Sequence, residues 1–98
     1  MKTFVLFLSL IASMSALAEC QREAQFIGEV RQLSHSMEMT TFKIRLTRWF
    51  QPSMVCPMDE SEAEAAEIML VGWHDLEEGQ EISGILVYKP ETGTYVIE

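Results

Sequence analysis

The sequence predicts a mainly β fold, either a small five-stranded barrel or a β-rich α+β domain with one short helix, after a cleaved signal peptide. Three observations predict this class. The chain of 98 residues opens with an apolar leader. Short segments in which apolar and polar residues alternate follow the leader, as is typical of strands. One acidic segment with helix-capping residues interrupts them.

Residues 1–18 have the three parts of a secretory signal peptide. Lys2 supplies the positive charge, residues 4–12 form the apolar run, and small residues lead up to Ala18. The run is too short to span a bilayer as a helix. We therefore expect cleavage after Ala18 and export of a secreted or periplasmic protein, with residues 19–98 forming a single small domain.

The segment Leu17-Ala18-Glu19-Cys20 is similar to a bacterial lipoprotein signal, in which the lipidated cysteine follows a small residue. Glu19 is charged and bulky at that position, so we expect ordinary cleavage and no membrane association unless Cys20 is lipidated. An oxidising compartment favours a disulfide between Cys20 and Cys56, the two cysteines of the chain. So small a domain often needs such a covalent link.

Charge restricts the partners of the exported chain. Lys2 leaves with the signal peptide, so six basic side chains face fifteen acidic ones, a side-chain charge of −9. Nucleic acids and anionic membranes repel such a protein. A basic protein, a metal ion or solubility alone suits this balance.

The first two strands are predicted at residues 24–33 and 39–50. In the first, Phe26 and Val30 share one face, and Gly28 indicates a bulge. The second is the clearest strand, because three apolar side chains alternate with three polar ones: Phe42, Ile44 and Leu46 against Lys43, Arg45 and Thr47. The same alternation places Trp49 on the polar face and Phe50 on the core face, unless Arg48 marks a bulge.

A short helix is predicted at residues 59–68. Ser61 and Glu64 have the spacing of a capping box, and Asp59 is an alternative N-cap. Three further strands are predicted at residues 68–73, 81–88 and 94–98. Pro90 and Gly93 predict a hairpin turn between the last two.

Five short strands and one helix suit a small, strongly bent barrel of the OB type. The helix of an OB-fold usually follows the third strand, whereas the helix predicted here follows the second. The sequence therefore predicts an OB-like barrel with a displaced helix, or a β-rich α+β domain.

Catalytic motifs are not found in this sequence. It has no G-x-S-x-G, no H-E-x-x-H and no glycine-rich phosphate loop. A reactive cysteine needs a histidine partner and a free thiol, but Cys20 and Cys56 have each other. We therefore expect a non-enzymatic protein without a cofactor.

Soft-metal binding is one candidate function. His35, Met37 and Met39 stand at alternate positions, so an extended chain would project all three to one side. A second group with the same spacing consists of Met54, Cys56 and Met58. Imidazole, thioether and thiolate are ligands that select Cu(I). The alternative is that these methionines fill a core or lie beside a structural disulfide.

The first of these groups resembles the site of small periplasmic copper chaperones of the OB-fold type, which use a histidine, a Met-x-Met pair and a nearby tryptophan. The resemblance is confined to this short stretch. It implies that Met37 and Met39 are the pair, that His35 is the histidine, and that Trp49 or Trp73 is the aromatic residue.

A basic and aromatic strand face is the favoured binding site. Lys43, Arg45 and Arg48, half of the basic residues after the leader, fall in the second strand beside Trp49. The favoured function is a non-catalytic binding or accessory module that recognises another exported protein or a carbohydrate. The alternatives are a solvated strand face without a ligand, a chaperone for Cu(I) or Ag(I), and a lipid-anchored accessory lipoprotein.

Overall fold

The computed structural model of the protein describes residues 20–98. The predicted signal peptide, residues 1–18, and its cleavage site lie outside the described residues. The elements in chain order are β1 (Glu23–His35), β2 (Met39–Pro52), α1 (Glu60–Ala65), β3 (Ile68–Val71), β4 (Glu81–Lys89) and β5 (Thr94–Ile97). The predicted succession of five strands and one short helix after the second strand is confirmed.

The five strands form one sheet in the order β1-β2-β3-β5-β4, and β1 also pairs with β4, so the sheet closes on itself. Neighbouring strands are antiparallel except β3 and β5, which pair in parallel at Ile68 and Tyr95. Because β1 pairs along its length with both β2 and β4, its outward side chains lie at the centre of a three-stranded face.

The core lies inside this closed sheet. Its largest fully buried apolar side chains come from four strands and the segment before α1: Phe26, Val30, Phe42, Met58, Ile68 and Leu86. Ala63 of α1 is also fully buried and adds the apolar side of the helix to the core. The inward set follows the alternation seen in the sequence of β1 and β2.

A bulge interrupts the pairing of β1 with β2. Ile27 is opposite Trp49 and Gly28 is opposite Leu46, so β2 has two extra residues, Thr47 and Arg48, at this point. Two extra residues preserve the alternation of faces. Trp49 therefore points outward and Phe50 inward, as the alternation predicts, although Arg48 does lie in a bulge. The bulge indicated by Gly28 is confirmed.

A second irregularity lies near the end of β1, where the register shifts between Arg31 and Ser34. Gln32 has φ of 51° there, a left-handed conformation that is uncommon outside glycine. The carboxylate of Glu78 accepts hydrogen bonds from the backbone N–H groups of Gln32 and Leu33, at 2.7 and 3.0 Å. These bonds satisfy the donors that the bulge removes from the strand ladder.

The N-cap of α1 is Asp59, whose side chain accepts a hydrogen bond from the backbone N–H of Glu62 at 2.7 Å. The predicted capping box of Ser61 and Glu64 is wrong, because Ser61 lies inside the helix and its hydroxyl donates to Asp59. These two hydrogen bonds, from the Glu62 N–H first and then the Ser61 hydroxyl, lower the pKa of Asp59. The helix is shorter than predicted because β3 begins at Ile68.

The predicted disulfide between Cys20 and Cys56 is confirmed, with Cα atoms 6.4 Å apart. It joins the residues just before β1 to the loop between β2 and α1. Glu23 extends the connection, since its N–H donates to the carbonyl of Cys56 and its carbonyl accepts from Ser53. Within residues 20–98, no helix has the length and apolar character needed to cross a membrane.

An ion pair joins the start of β1 to α1 and β5. Arg22 donates to both carboxylate oxygens of Glu62 at 2.8–3.0 Å, and the Tyr95 hydroxyl donates to the same carboxylate at 2.8 Å. The Arg22 guanidinium also lies over the ring of Tyr88, 4.4 Å from its centroid. The hydrogen bond to Glu62 raises the pKa of Arg22, which stays charged at every accessible pH.

We expect the folded protein to lose stability at alkaline pH because of the environment of Tyr95. Burial, and then the hydrogen bond to Glu62, raise the pKa of its hydroxyl above the ordinary value of 10.0. The folded state therefore holds the proton more tightly than the unfolded state, and this stabilisation is lost as the pH rises from about 10 through the folded pKa. We expect the melting temperature to fall more steeply above pH 10 for the wild type than for Tyr95→Phe. Equal slopes would contradict this assignment.

Candidate functional site

The outward side chains of β1, β2 and β4 form one continuous surface, the outer face. Paired residues of an antiparallel sheet share a face, so the register arranges these side chains in cross-strand rows. Three rows cross all three strands, and read from β2 through β1 to β4 they are Gln51–Gln25–Ile85, Trp49–Ile27–Ser83 and Arg45–Glu29–Glu81. A fourth row consists of Lys43 on β2 and Arg31 on β1. The bulge brings Trp49 into the row next to Arg45.

Charged side chains occupy one half of the outer face. Arg31 pairs with Glu29 at 3.5 Å and Arg48 pairs with Glu81 at 3.2 Å. Lys43 and Arg45 form no ion pair with any residue of the described range. Of the three predicted basic residues, Lys43 and Arg45 are therefore available to a ligand, whereas Arg48 is partly neutralised within the bulge.

The other half of the outer face has two rows of uncharged side chains and holds a depression that we call the Trp49 groove. Six residues define it: Gln25, Ile27, Trp49, Gln51, Ser83 and Ile85. Two shallow cavities of about 380 and about 280 Å³ lie along the groove, and Gln25 and Ile85 line both of them. Trp49 lines the smaller cavity, and Glu23 lines the larger. Trp49 is 49% exposed although it belongs to a paired strand. Strand pairing holds its backbone in place, and its aromatic side chain faces solvent.

A second exposed cluster lies where β1 turns into β2, and we call it the hairpin end: His35, Met37, Met39, Trp73 and His74. Met37 is 87% exposed and Met39 is 37% exposed. The rings of His35 and Trp73 stack with centroids 5.0 Å apart. Of the two tryptophans considered as the aromatic partner, Trp73 is the one at this end, and Trp49 belongs to the outer face.

Both histidines of the hairpin end have fixed ring orientations. His35 Nε2 lies 2.7 Å from the carbonyl oxygen of His74, and His74 Nε2 lies 2.8 Å from that of Val71. A carbonyl only accepts, so each Nε2 donates and each neutral ring keeps its lone pair on Nδ1. Buried Thr40 holds the facing segment, accepting from the His74 N–H and donating to the Gly72 carbonyl.

The second methionine group does not form a metal site. Cys56 is in the disulfide and has no thiolate, Met58 is fully buried in the core, and Met54 is 97% exposed in the loop. Across residues 20–98, no three side chains among the histidines, cysteines and acidic residues are grouped so that they could hold a metal ion. A metal at the hairpin end would therefore depend on thioether ligands.

Sequence reasoning missed His74 and most of the Trp49 groove. Gln51, Ser83 and Ile85 come from two strands about thirty residues apart, and only the pairing of β1 with both strands brings them together. No motif marks them. Only Gln25 could have pointed to the groove, because the alternation in β1 predicts that its side chain faces outward.

Comparison of the chain with protein-family models, curated protein sequences and solved structures gives no match.

Proposed function

We propose that the protein is an exported, non-catalytic binding or accessory module that uses the outer face around Trp49. The observation that carries this proposal is the half-exposed Trp49 held in a paired strand at the junction between the uncharged groove and two unpaired cations. Aromatic anchors with few rotatable bonds contribute strongly to recognition because they lose little conformational entropy on binding.

The proposed architecture is an OB-like barrel. The closed strand order and the parallel contact between β3 and β5 support it. The helix lies one connection earlier than in the usual OB arrangement. Export to the periplasm or outside the cell is part of the proposal and is supported by the disulfide, which persists in oxidising compartments.

Capture experiments test the proposed face. Tagged wild-type protein is expected to retain a protein or glycan from a cell-envelope extract of the producing organism. Trp49→Ala should lose that component, because it removes the aromatic anchor. The double variant Lys43→Glu/Arg45→Glu should lose a protein component, because it reverses the unpaired charge. Trp73→Ala and Lys89→Glu, which change an aromatic residue and a charge elsewhere, are the matched controls.

The outcome is judged only for variants that keep the wild-type circular dichroism spectrum. Equal capture by the wild type, Trp49→Ala and the charge-reversed variant would show that the outer face is merely solvated. Loss of capture in Trp73→Ala alone would move the binding site to the hairpin end.

Soft-metal transport is the second candidate function, and the fixed histidines favour it. Ligating histidines usually donate their other ring N–H to a carbonyl or carboxylate, as His35 and His74 do here. His35, Met37 and Met39 would hold Cu(I) or Ag(I), because imidazole and thioether are soft ligands. Trp73 stacks on His35 and would report the ion by fluorescence.

Titration with Ag(I) or Cu(I) tests this candidate. We expect tryptophan fluorescence to be quenched near one equivalent, with loss of quenching in Met37→Leu/Met39→Leu. Met54→Leu removes an exposed thioether far along the chain from this site and should behave as the wild type. An absence of quenching at micromolar metal would exclude the soft-metal function.

A lipid-anchored accessory lipoprotein is the third possibility, and lipidation of Cys20 and the disulfide exclude each other. A thioether-linked lipid and a disulfide both need the sulfur of Cys20, so a single molecule has one or the other. The intact mass of the exported product decides between them. A chain starting at Glu19 and lacking two hydrogens supports the soluble form, whereas a diacylglycerol on Cys20 with Glu19 removed supports the anchor.

A further inference from the structure

The uncharged half of the outer face has the dimensions and chemistry of a small-ligand site. Successive outward residues on a strand are about 7 Å apart, and neighbouring strands lie about 4.8 Å apart. The two rows of the Trp49 groove, each spanning three strands, therefore cover about 7 by 10 Å. The larger of the two cavities, about 380 Å³, falls within the usual range of ligand pockets, and the smaller, about 280 Å³, lies just below that range.

The hydrogen-bonding groups of the groove are unused. Among the described residues, the side chains of Gln25, Gln51 and Ser83 form no hydrogen bond within the protein. Each amide offers both donors and an acceptor, and the hydroxyl can do either. A ligand rich in hydroxyl groups, each both donor and acceptor, matches this set.

Apolar groups complete the lining. Trp49 presents an indole ring, and Ile27 and Ile85 lie in the same two rows on β1 and β4. An indole is a large apolar surface with one polar edge. The C–H face of a pyranose ring is a flat apolar surface bordered by hydroxyl groups, so it can lie against the ring while its hydroxyls reach the amides.

Charge disfavours anionic ligands in this half of the face. No cationic side chain lines either cavity, and Glu23 lies at the end of the larger one. The unpaired Lys43 and Arg45 are one or more rows away. Because anions would meet an acidic domain and a carboxylate, the groove disfavours acidic sugars relative to neutral ones.

We propose that the Trp49 groove binds a neutral oligosaccharide, with Trp49 stacking on a sugar ring and Gln25 and Gln51 bonding its hydroxyls. This inference rests on the proposed function and specifies its ligand class. It assigns recognition to uncharged residues that no sequence motif marks, and it leaves Lys43 and Arg45 outside the sugar contact.

An array of immobilised neutral and acidic oligosaccharides, followed by fluorescence titration of each bound sugar, tests the proposal. We expect binding of at least one neutral sugar, weakened roughly tenfold or more by Trp49→Ala and less by Gln25→Ala or Gln51→Ala. Lys89→Glu and Trp73→Ala, which change residues outside the outer face, should bind it as tightly as the wild type.

Two results would overturn the saccharide assignment and leave the proposed function standing. One is binding of acidic sugars alone, lost on charge reversal. The other is an absence of sugar binding at millimolar concentration together with Trp49-dependent capture of a protein from the envelope extract. An absence of sugar binding with capture independent of Trp49 would overturn both proposals.

Discussion

Replacing Cys20 and Cys56 together by serine is expected to lower the free energy of unfolding by roughly 3–4 kcal/mol. The disulfide closes a loop of 36 residues, and its removal restores conformational freedom to the unfolded chain. A domain of about 80 residues has a total stability of only about 5–15 kcal/mol, so the loss is a large fraction of the whole.

Urea denaturation followed by circular dichroism measures this effect. The double serine variant and the reduced wild type should unfold at similar, lower urea concentrations, and the reductant should not change the variant. An unchanged midpoint in the double variant would contradict a structural role for the bond. Cys56 is nearly buried, so the variant also tests how far the loop before α1 depends on covalent attachment to β1.

Gly28→Ala is expected to destabilise the protein by about 2–3 kcal/mol. A Cβ atom at this position would lie 2.7 Å from the carbonyl oxygen of Arg45. That oxygen is part of β2 at the edge of the bulge, so the backbone itself would have to move. The same movement would displace Trp49, and binding to the outer face should weaken as well.

Thermal unfolding checks this prediction, since each kcal/mol corresponds to about 4–8 °C in a domain of this size. Ser83→Ala is the matched control. Ser83 is an exposed residue of β4 and pairs with Ile27, the residue of β1 that precedes Gly28. It should unfold close to the wild type. A melting temperature of Gly28→Ala equal to that of the control would show that the two strands can separate at the bulge without cost.

The sequence was most informative where burial on one face enforces alternation. In β2, Phe42 and Ile44 alternate with Lys43 and Arg45, and the outward and inward faces of the structure follow that pattern. The two cysteines predicted the disulfide because few pairings were available. The helix was predicted from its acidic start, although its N-cap is Asp59 and not Ser61.

Neither the strand order nor the Trp49 groove could be predicted from the sequence, because both depend on pairing between strands that are far apart in the chain. Both alternating sets of β4 and β5 are apolar, so their neighbours cannot be read from the pattern. The parallel contact at Ile68 and Tyr95 and the pairing of β1 with β4 complete the closed sheet. Only then do Gln51 and Ile85, separated by more than thirty residues, flank Gln25.

The two candidate sites can be compared in one spectrum because the chain has two tryptophans, one at each site. Trp49 marks the outer face and Trp73 marks the hairpin end, and each contributes one indole N–H signal to a ¹H–¹⁵N spectrum. The indole signal that is missing from the spectrum of Trp49→Ala belongs to Trp49, and the remaining signal belongs to Trp73. Addition of Ag(I) should affect only Trp73 if the soft-metal function is real.

The decisive measurement is this spectrum of the protein with fractionated envelope extract added. At least one fraction is expected to shift or broaden the Trp49 indole signal and to leave the Trp73 signal in place. A Trp49 signal unchanged by every fraction would contradict the claim that the outer face is the binding site.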